Sequence, residues 1–314
     1  MTDVAVVIPT LRRPESLERA LRSLFAQTGV EARLREIVVA DNDPEGSAGA
    51  LVERLRPDAP VPLVYAHAPV PGVATARNVG LAATKAPLIA FLDDDEEATS
   101  GWLAELLGAL EQLDVDVVFG PIRGRADTAE PRLRPYLERF FGRDGPDRDQ
   151  VIEDAFGCGN SLMRRETALP GSAPFDTRAD ESGGEDDALF AAMKARGGRF
   201  GWAANAWVDE YAPPHRATLG YALSRAFAYG QSPSQLAAAR KAWPAVAGWM
   251  AVGAAQTGLY GLAALGLSIA RPSRAPALWD RAARGLGKVL WMPGLEPRFY
   301  GQAEMTRLAR SMSE

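Results

Sequence analysis

Over its first 120 residues the chain alternates two kinds of segment. Short apolar, β-branched runs ("VAVVI", Val4 to Ile8; "EIVVADND"; "PLIAFL"; "VDVVFG") are separated by stretches whose apolar residues recur every three or four positions. A continuous apolar run suits a strand buried on both faces, and the longer periodic stretches suit amphipathic helices. In "RPESLERALRSLFAQ", Pro14 fits a first helical turn, and Leu17, Leu21, Leu24 and Phe25 share one face. Strands that alternate with helices need crossover connections. The expected fold is therefore α/β, a mostly parallel sheet flanked by helices.

Beyond Gly120 the alternation loosens. "GRADTAEPRLRPYLERFFGRDGPDRDQ" reads as a loop-rich insertion with one short helix at Tyr136 to Phe141. "DAFGCGNSLMRRE" returns to strand-like residues, "EDDALFAAMKARG" is a helix ended by Gly197, and "RFGWA" and "AWVDE" are short strands. The remainder is helical. This divides the chain into a sheet domain over residues 1–231 and a helical region over 232–314.

In open parallel sheets, ligands bind beyond the carboxyl ends of the strands. Pro9-Thr10, Asp41-Asn42-Asp43 and Asp93-Asp94-Asp95 all fall there. A dinucleotide fold would carry a glycine-rich turn after the first strand, but "PTLRRPE" occupies that place. Asp41 suits a hydrogen bond from a base or ribose, or alternatively a turn cap. Arg77 and Asn78, early in a helix after a glycine turn, suit a phosphate or else a surface ion pair.

The acid run "DDDEE" is the sharpest signal, because adjacent like charges repel. Alternate carboxylates at a strand end, Asp93 and Asp95, can face one hard cation such as Mg²⁺ or Mn²⁺. Glu96 and Glu97 fit the start of the following helix, with Ser100 as its cap. In "GGEDDALF", Glu185, Asp186 and Asp187 open a helix. They serve its dipole or supply a general base. His215 could bind metal or be structural, and His67 is incidental.

Taken together, "VVIPTLRRPESLERALRSL", "VVADND", "PGVATARNVGLAATKAPLIAFLDDDE" and "GGEDDALF" resemble the family 2 glycosyltransferases with the GT-A fold, over Val4 to Gln231. The resemblance implies transfer of a sugar from a nucleoside diphosphate donor, with inversion at the anomeric carbon. It implies that Pro9 and Thr10 contact the nucleotide, Asp41 reads the base, and Arg77 and Asn78 lie near the phosphates. Asp95 would bind the metal, with Asp93 toward ribose and metal. Asp186 would be the catalytic base. Gly159, Asn160 and Glu185 would line the acceptor side. His215 is an approximate match to a family histidine. The Gln-x-x-Arg-Trp motif of processive members is absent, so a single addition is expected. UDP is the favoured donor nucleotide. A nucleotidyltransferase and a non-catalytic membrane-associated binding protein are the alternatives.

The formal net charge of −5 gives no basic surplus for a nucleic-acid partner. One cysteine, Cys158, excludes an intramolecular disulfide and fits a reducing compartment. The N-terminal stretch lacks the basic start of a signal peptide, so a cytoplasmic location is expected. "PAVAGWMAVGAAQTGLYGLAALGLSIA" (Pro244 to Ala270) carries no charge. The segment after it mixes Arg271, Arg274, Arg281, Arg284 and Lys288 with Trp279 and Trp291. That pattern fits attachment at the cytoplasmic face of a membrane, and with it a lipid-linked or polysaccharide acceptor.

Overall fold

The computed structural model describes residues 3–311. In chain order its elements are β1 (Val4–Thr10), α1 (Pro14–Phe25), β2 (Leu34–Asp41), α2 (Gly49–Leu55), β3 (Leu63–His67), α3 (Val73–Ala82) and β4 (Leu88–Phe91). Next come β5 (Glu96–Ala98), α4 (Trp102–Leu113), β6 (Val117–Phe119), β7 (Ile122–Arg125), α5 (Arg134–Phe141), β8 (Gln150–Ile152), β9 (Ser161–Arg164) and α6 (Arg165–Ala168). The rest are α7 (Glu185–Ala195), β10 (Phe200–Trp202), β11 (Val208–Tyr211), α8 (Leu219–Ala239), α9 (Trp243–Ala270), α10 (Ala275–Val289) and α11 (Gly301–Ser311).

The main sheet has the order β3-β2-β1-β4-β9-β6-β10-β8. β1 pairs in parallel with β2 and β4, β2 with β3, and β6 with β10. β9 runs antiparallel between β4 and β6, with Ser161 opposite both Phe91 and Phe119. That reversal matters for function. The residues entering β9 are delivered to the carboxyl ends of β4 and β6, where the acid run begins. A smaller sheet joins β5, β11 and β7 in that order.

Side chains of a strand alternate between faces. Val4, Val6 and Ile8 pack with Leu17, Leu21, Leu24 and Trp102 on one side of the sheet. Ala5 and Val7 pack with Phe91, Phe119 and Phe190 on the other. Both faces are covered, which is why β1 reads as an unbroken apolar run. Each buried leucine contributes about 2 kcal/mol. α3 lies close on the sheet because residue 80 is glycine: a Cβ there would stand 2.6 Å from Val7 Cγ1. The first turn of α3 is capped from afar by Asp180, which accepts from Thr75 N (3.0 Å) and Thr75 Oγ1 (2.6 Å).

Two compact units emerge. One comprises residues 1–123, 142–210 and 298–314, and the other residues 124–141 and 211–297. The boundary expected between residues 231 and 232 falls inside α8, a continuous 21-residue helix capped by Thr218 and spanning Pro233. The polar 120–150 stretch is more ordered than its composition implied: it holds β7, α5 and the start of β8.

Within the second unit, α8, α9 and α10 meet through glycines. A Cβ at Gly230 would lie 2.2 Å from Arg284 O, one at Gly287 2.1 Å from Phe227 O, and one at Gly253 2.5 Å from Gly285 O. α9 has 28 residues, about 42 Å at 1.5 Å per residue. It is long and apolar enough to cross a membrane, and only 11% of its most apolar window is buried. Leu259, Leu262, Leu265 and Ile269 are exposed along it.

Candidate active site

The carboxyl ends of β1 and β2 form one wall of the site. Thr10 donates its hydroxyl to Asp94 (2.8 Å), and its carbonyl accepts from Asn42 N (2.8 Å). Asp41 is fully buried. It accepts from Asp43 N (3.1 Å), Ala48 N (2.8 Å) and the Tyr65 hydroxyl (2.9 Å). Two of its four acceptor positions therefore serve the turn after β2, a third takes the Tyr65 hydroxyl from β3, and one on Oδ1 remains. Burial and Asp41 push Tyr65 up to about 12, so it stays a donor. Asn42 ties the turn to the start of α3: it donates to Ala68 O and Val70 O and accepts from Gly72 N. His67 contacts Asp43 O at 2.8 Å, a local structural bond.

The acid run divides by role. Asp94 is buried against Thr10 and Arg13, whose Nη1 lies 2.9 Å from Asp94 Oδ1 and 3.1 Å from Asp95 Oδ2. Arg13 also reaches Glu304 of α11 at 3.3 Å. Burial alone would lower the Arg13 pKa, but Asp94, Asp95 and Glu304 outweigh it and hold the guanidinium charged. Asp93 is the most open of the triplet, its side chain 36% exposed, and it stands 3.6 Å from Arg77. Burial pushes Asp93 up, Arg77 pulls against this, and Asp95 and Asp94 push it further.

Glu96 and Glu97 do not open a helix. They form β5, paired with Glu210 and Asp209 of β11, and α4 starts only at Trp102 with Gly101, not Ser100, at its cap position. The chain turns sharply after Asp93, so Glu96 points inward. Its Oε2 accepts from Asp93 N (2.9 Å) and Asn160 N (3.2 Å). Burial, then Asp93 and Glu210, push Glu96 well above the usual carboxylate range.

The residues entering β9 complete the site. Asn160, at φ +51°, donates to Pro121 O (2.8 Å) and Ala206 O (3.0 Å) and accepts from Trp102 Nε1 (2.8 Å). Gly159 lies against Asp93: a Cβ there would be 2.6 Å from Asp93 Oδ2. Cys158 N donates to Asp186 Oδ2 (3.2 Å), and Asp187 N donates to Asp186 Oδ1 (2.9 Å). Asp186 thus sits half-buried in the first turn of α7, with its carboxylate oriented by two backbone N–H groups.

Arg77 is buried between α3 and α7. It donates to Glu185 Oε1 and lies over the Phe175 ring, 5.7 Å from its centroid. Burial pushes Glu185 up, Arg77 opposes this, and Asp186 adds to it, leaving Glu185 at about 7. Asn78 is committed elsewhere: it donates to Phe175 O (2.8 Å) and accepts from Phe175 N (3.1 Å).

The structure thus gathers Thr10, Asp41, Arg77, Asp93, Asp95, Gly159, Asn160, Glu185 and Asp186 along one edge of the main sheet. Pro9 lies in β1, paired with Ala40. His215 belongs to the second unit, in the turn before α8. Among the described residues no three His, Cys, Asp or Glu side chains could by themselves hold an ion. A Mg²⁺ or Mn²⁺ site in a nucleotide enzyme needs only one or two carboxylates plus phosphate oxygens. Asp93 and Asp95, in an acid cluster that the nearby arginines compensate only in part, fit that donor set.

Sequence reasoning missed Arg13, Arg143 and Asp180. Arg13 sits in "PTLRRPE", where its position beside a strand end was the one available clue. Arg143 and Asp180 act across long sequence separations and leave no local pattern.

Comparison with known proteins agrees with this architecture. The profile described as glycosyl transferase family 2 matches residues 5–169. The succinoglycan biosynthesis protein ExoM of Rhizobium meliloti (strain 1021) is 34% identical over 317 residues, 96% of this chain and 97% of its own. The pre-mycofactocin glycosyltransferase of Mycobacterium tuberculosis (strain ATCC 25618 / H37Rv) is 30% identical over 240 residues, 75% of this chain and 47% of its own. S. aureus TarS 1-349, solved with UDP-GlcNAc, shares the fold at a TM-score of 0.51 and 16% identity, covering 67% of this chain and 59% of that one. The same protein solved with UDP gives 0.51 at 15% identity, over 70% and 63%. With a GT-A sheet, a profile match over residues 5–169 and a relative that aligns along almost the whole length, this chain belongs to glycosyl transferase family 2.

Proposed function

We propose that this glycosyltransferase moves one sugar from a UDP-sugar to a hydroxyl of a lipid-linked saccharide. The transfer inverts the anomeric carbon, and the enzyme works at the cytoplasmic face of a membrane. The observation that carries this reading is the loop before β9. One side of it, Cys158 N, holds Asp186, and the other, Gly159, lies against Asp93. A base and a donor-side carboxylate therefore face each other across one backbone segment. Asp186 takes the proton from the acceptor hydroxyl as that oxygen attacks from the side opposite the leaving diphosphate. Arg77 faces the charge that grows on the diphosphate, in a buried setting where such charge is strongly felt. Asp93 and Asp95 would hold a divalent cation. When bound, that ion neutralises the leaving group as a Lewis acid. Pro9, Thr10 and Asp41 shape the nucleotide end, and Asn160 and Glu185 the acceptor side.

The succinoglycan relative supports a polysaccharide intermediate as acceptor, and the TarS complexes support UDP as the carrier. The exposed apolar face of α9 and the basic residues after it support a lipid surface. The glycine contacts among α8, α9 and α10 are of the kind that let helices pack closely in lipid.

A thermal-shift panel of UDP-, GDP- and dTDP-sugars with and without Mn²⁺ tests the reading. A UDP-sugar at 100 times its Kd should stabilise by about 2.7 kcal/mol. The Mn²⁺-dependent part of that shift should vanish in Asp95→Ala. No shift and no UDP release with any nucleotide sugar would end the proposal. Flotation with anionic phosphatidylglycerol vesicles tests the membrane element, and protein left wholly in the unfloated fraction would remove it.

A further inference from the structure

Arg143 has no part in the reaction as described, yet its guanidinium stands behind the loop that carries it. Nη1 lies 3.0 Å from Gly159 O and 3.4 Å from both Asn160 O and Gly120 O, and Nη2 lies 3.2 Å from Gly157 O. Four backbone carbonyls converge on one cation. Such oxygens repel one another, and the loop Gly157 to Asn160 would not keep this shape around a neutral side chain. The guanidinium plane is set by Phe156, whose ring centroid is 5.4 Å from Cζ. The Arg143 backbone is fixed too: it exchanges two hydrogen bonds with Ile122, each 2.9 Å.

We propose that Arg143 is a positioning residue that holds the Gly157 to Asn160 loop in the one shape that aims Asp186 and Asp93 at the same reacting centre. The path is short. Arg143 fixes Gly157 O and Gly159 O, and Cys158 N, between them, donates to Asp186 Oδ2. Gly159 lies against Asp93, and Asn160 N shares Glu96 Oε2 with Asp93 N. Gly157 leaves room for the arrangement, since a Cβ there would sit 3.3 Å from Asp186 Oδ2 and 3.7 Å from Arg143 Nη2. The planar fork matters because both Nη atoms are used, and a lysine ammonium cannot reach both ends of the loop at once. Arg143 acts through the loop and touches no substrate.

The inference rests on Asp186 as base for its kinetic consequence, but its structural consequence can be read without that. Cys158 is the chain's single cysteine and is fully buried within the loop. In the full-length protein, its reaction with dithionitrobenzoate should accelerate at least tenfold in Arg143→Met and Arg143→Ala, measured at a temperature where both variants remain folded. Millimolar guanidinium should slow the labelling of Arg143→Ala again. Arg143→Lys should lie between, and it provides the comparison if the other variants do not fold. With UDP-GlcNAc or whichever UDP-sugar is turned over, kcat should fall at least thirtyfold while the donor KM changes less than threefold. Unchanged Cys158 labelling in a folded variant would overturn the proposal. So would a loss expressed wholly in donor KM. Faster labelling without any sugar transfer by wild type would uphold the loop role and count against the transferase reading of the site instead.

Discussion

The Arg77 guanidinium donates to the Glu185 carboxylate across 108 positions of sequence, binding α3 to α7 beneath the site, and burial leaves Glu185 at about 7. A carboxyl raised in the folded state binds a proton that the unfolded chain has already released. Its contribution to stability is complete below the usual glutamate pKa near 4.5 and is lost as pH rises through about 7. Thermal stability should therefore decline between those limits. Glu185→Gln should flatten the decline, and melting curves across that window provide the check. An equally steep decline in the variant would assign it to other groups.

Asp186→Asn keeps one of the two backbone hydrogen bonds, through its amide oxygen, and removes the carboxylate proposed as the base. Transfer should fall by about 100- to 10,000-fold with donor affinity unchanged. Titration of the UDP-sugar by calorimetry, beside an assay of UDP release, separates the two effects. Retained transfer would exclude Asp186 as the base.

Gly159→Ala adds a methyl where Asp93 Oδ2 would be 2.6 Å away and Glu96 Oε1 3.0 Å away. The atoms it meets are the ends of side chains, so the fold can yield and the melting temperature should hold. Asp93 cannot keep its place, and Mn²⁺-dependent donor binding should weaken at least tenfold. Unaltered binding would show that Asp93 has no share in the donor site.

Asn160→Ala should cost stability rather than affinity alone. It strands Trp102 Nε1, Pro121 O and Ala206 O in a buried place and puts alanine at a left-handed φ. A loss of about 2–4 kcal/mol is expected, read as a lower urea midpoint. A loss under about 1 kcal/mol would mean the three groups find other partners.

Gly287→Ala tests the helical unit. Its Cβ would stand 2.1 Å from Phe227 O, a backbone atom that cannot turn aside. α8 and α10 must separate, at a cost of about 1–3 kcal/mol. Circular dichroism melting should register it, while UDP-sugar binding by the sheet unit should persist.

Much of this was legible in the chain. The apolar runs became β1, β2, β4 and β6 because both faces of the sheet are covered, a condition that writes itself into consecutive residues. The acid run fell at the end of β4 as strand-end logic required. What stayed hidden depends on residues far apart. Glu96 looked like a helix-opening acid, since "EEATSGW" offers no sign that the chain first makes the strand β5. Arg143 lay in a stretch whose glycines, prolines and charges read as loop. Its meaning comes from carbonyls at residues 120, 157, 159 and 160, and no periodicity encodes that convergence. Asn78 shows the converse: a polar residue at a helix start, suited to phosphate by type, is spent on the backbone of Phe175.

The sheet unit is written in three pieces, and its last begins near residue 298. Arg13 leaves the ribosome 291 residues before its partner Glu304. During synthesis the α8–α10 helices are therefore complete while the sheet unit still lacks its closing segment. The nascent chain passes through an interval in which the Arg13 cluster has its two aspartates but not its glutamate. The cluster at the end of β4 is thereby completed only after the apolar α9 has emerged.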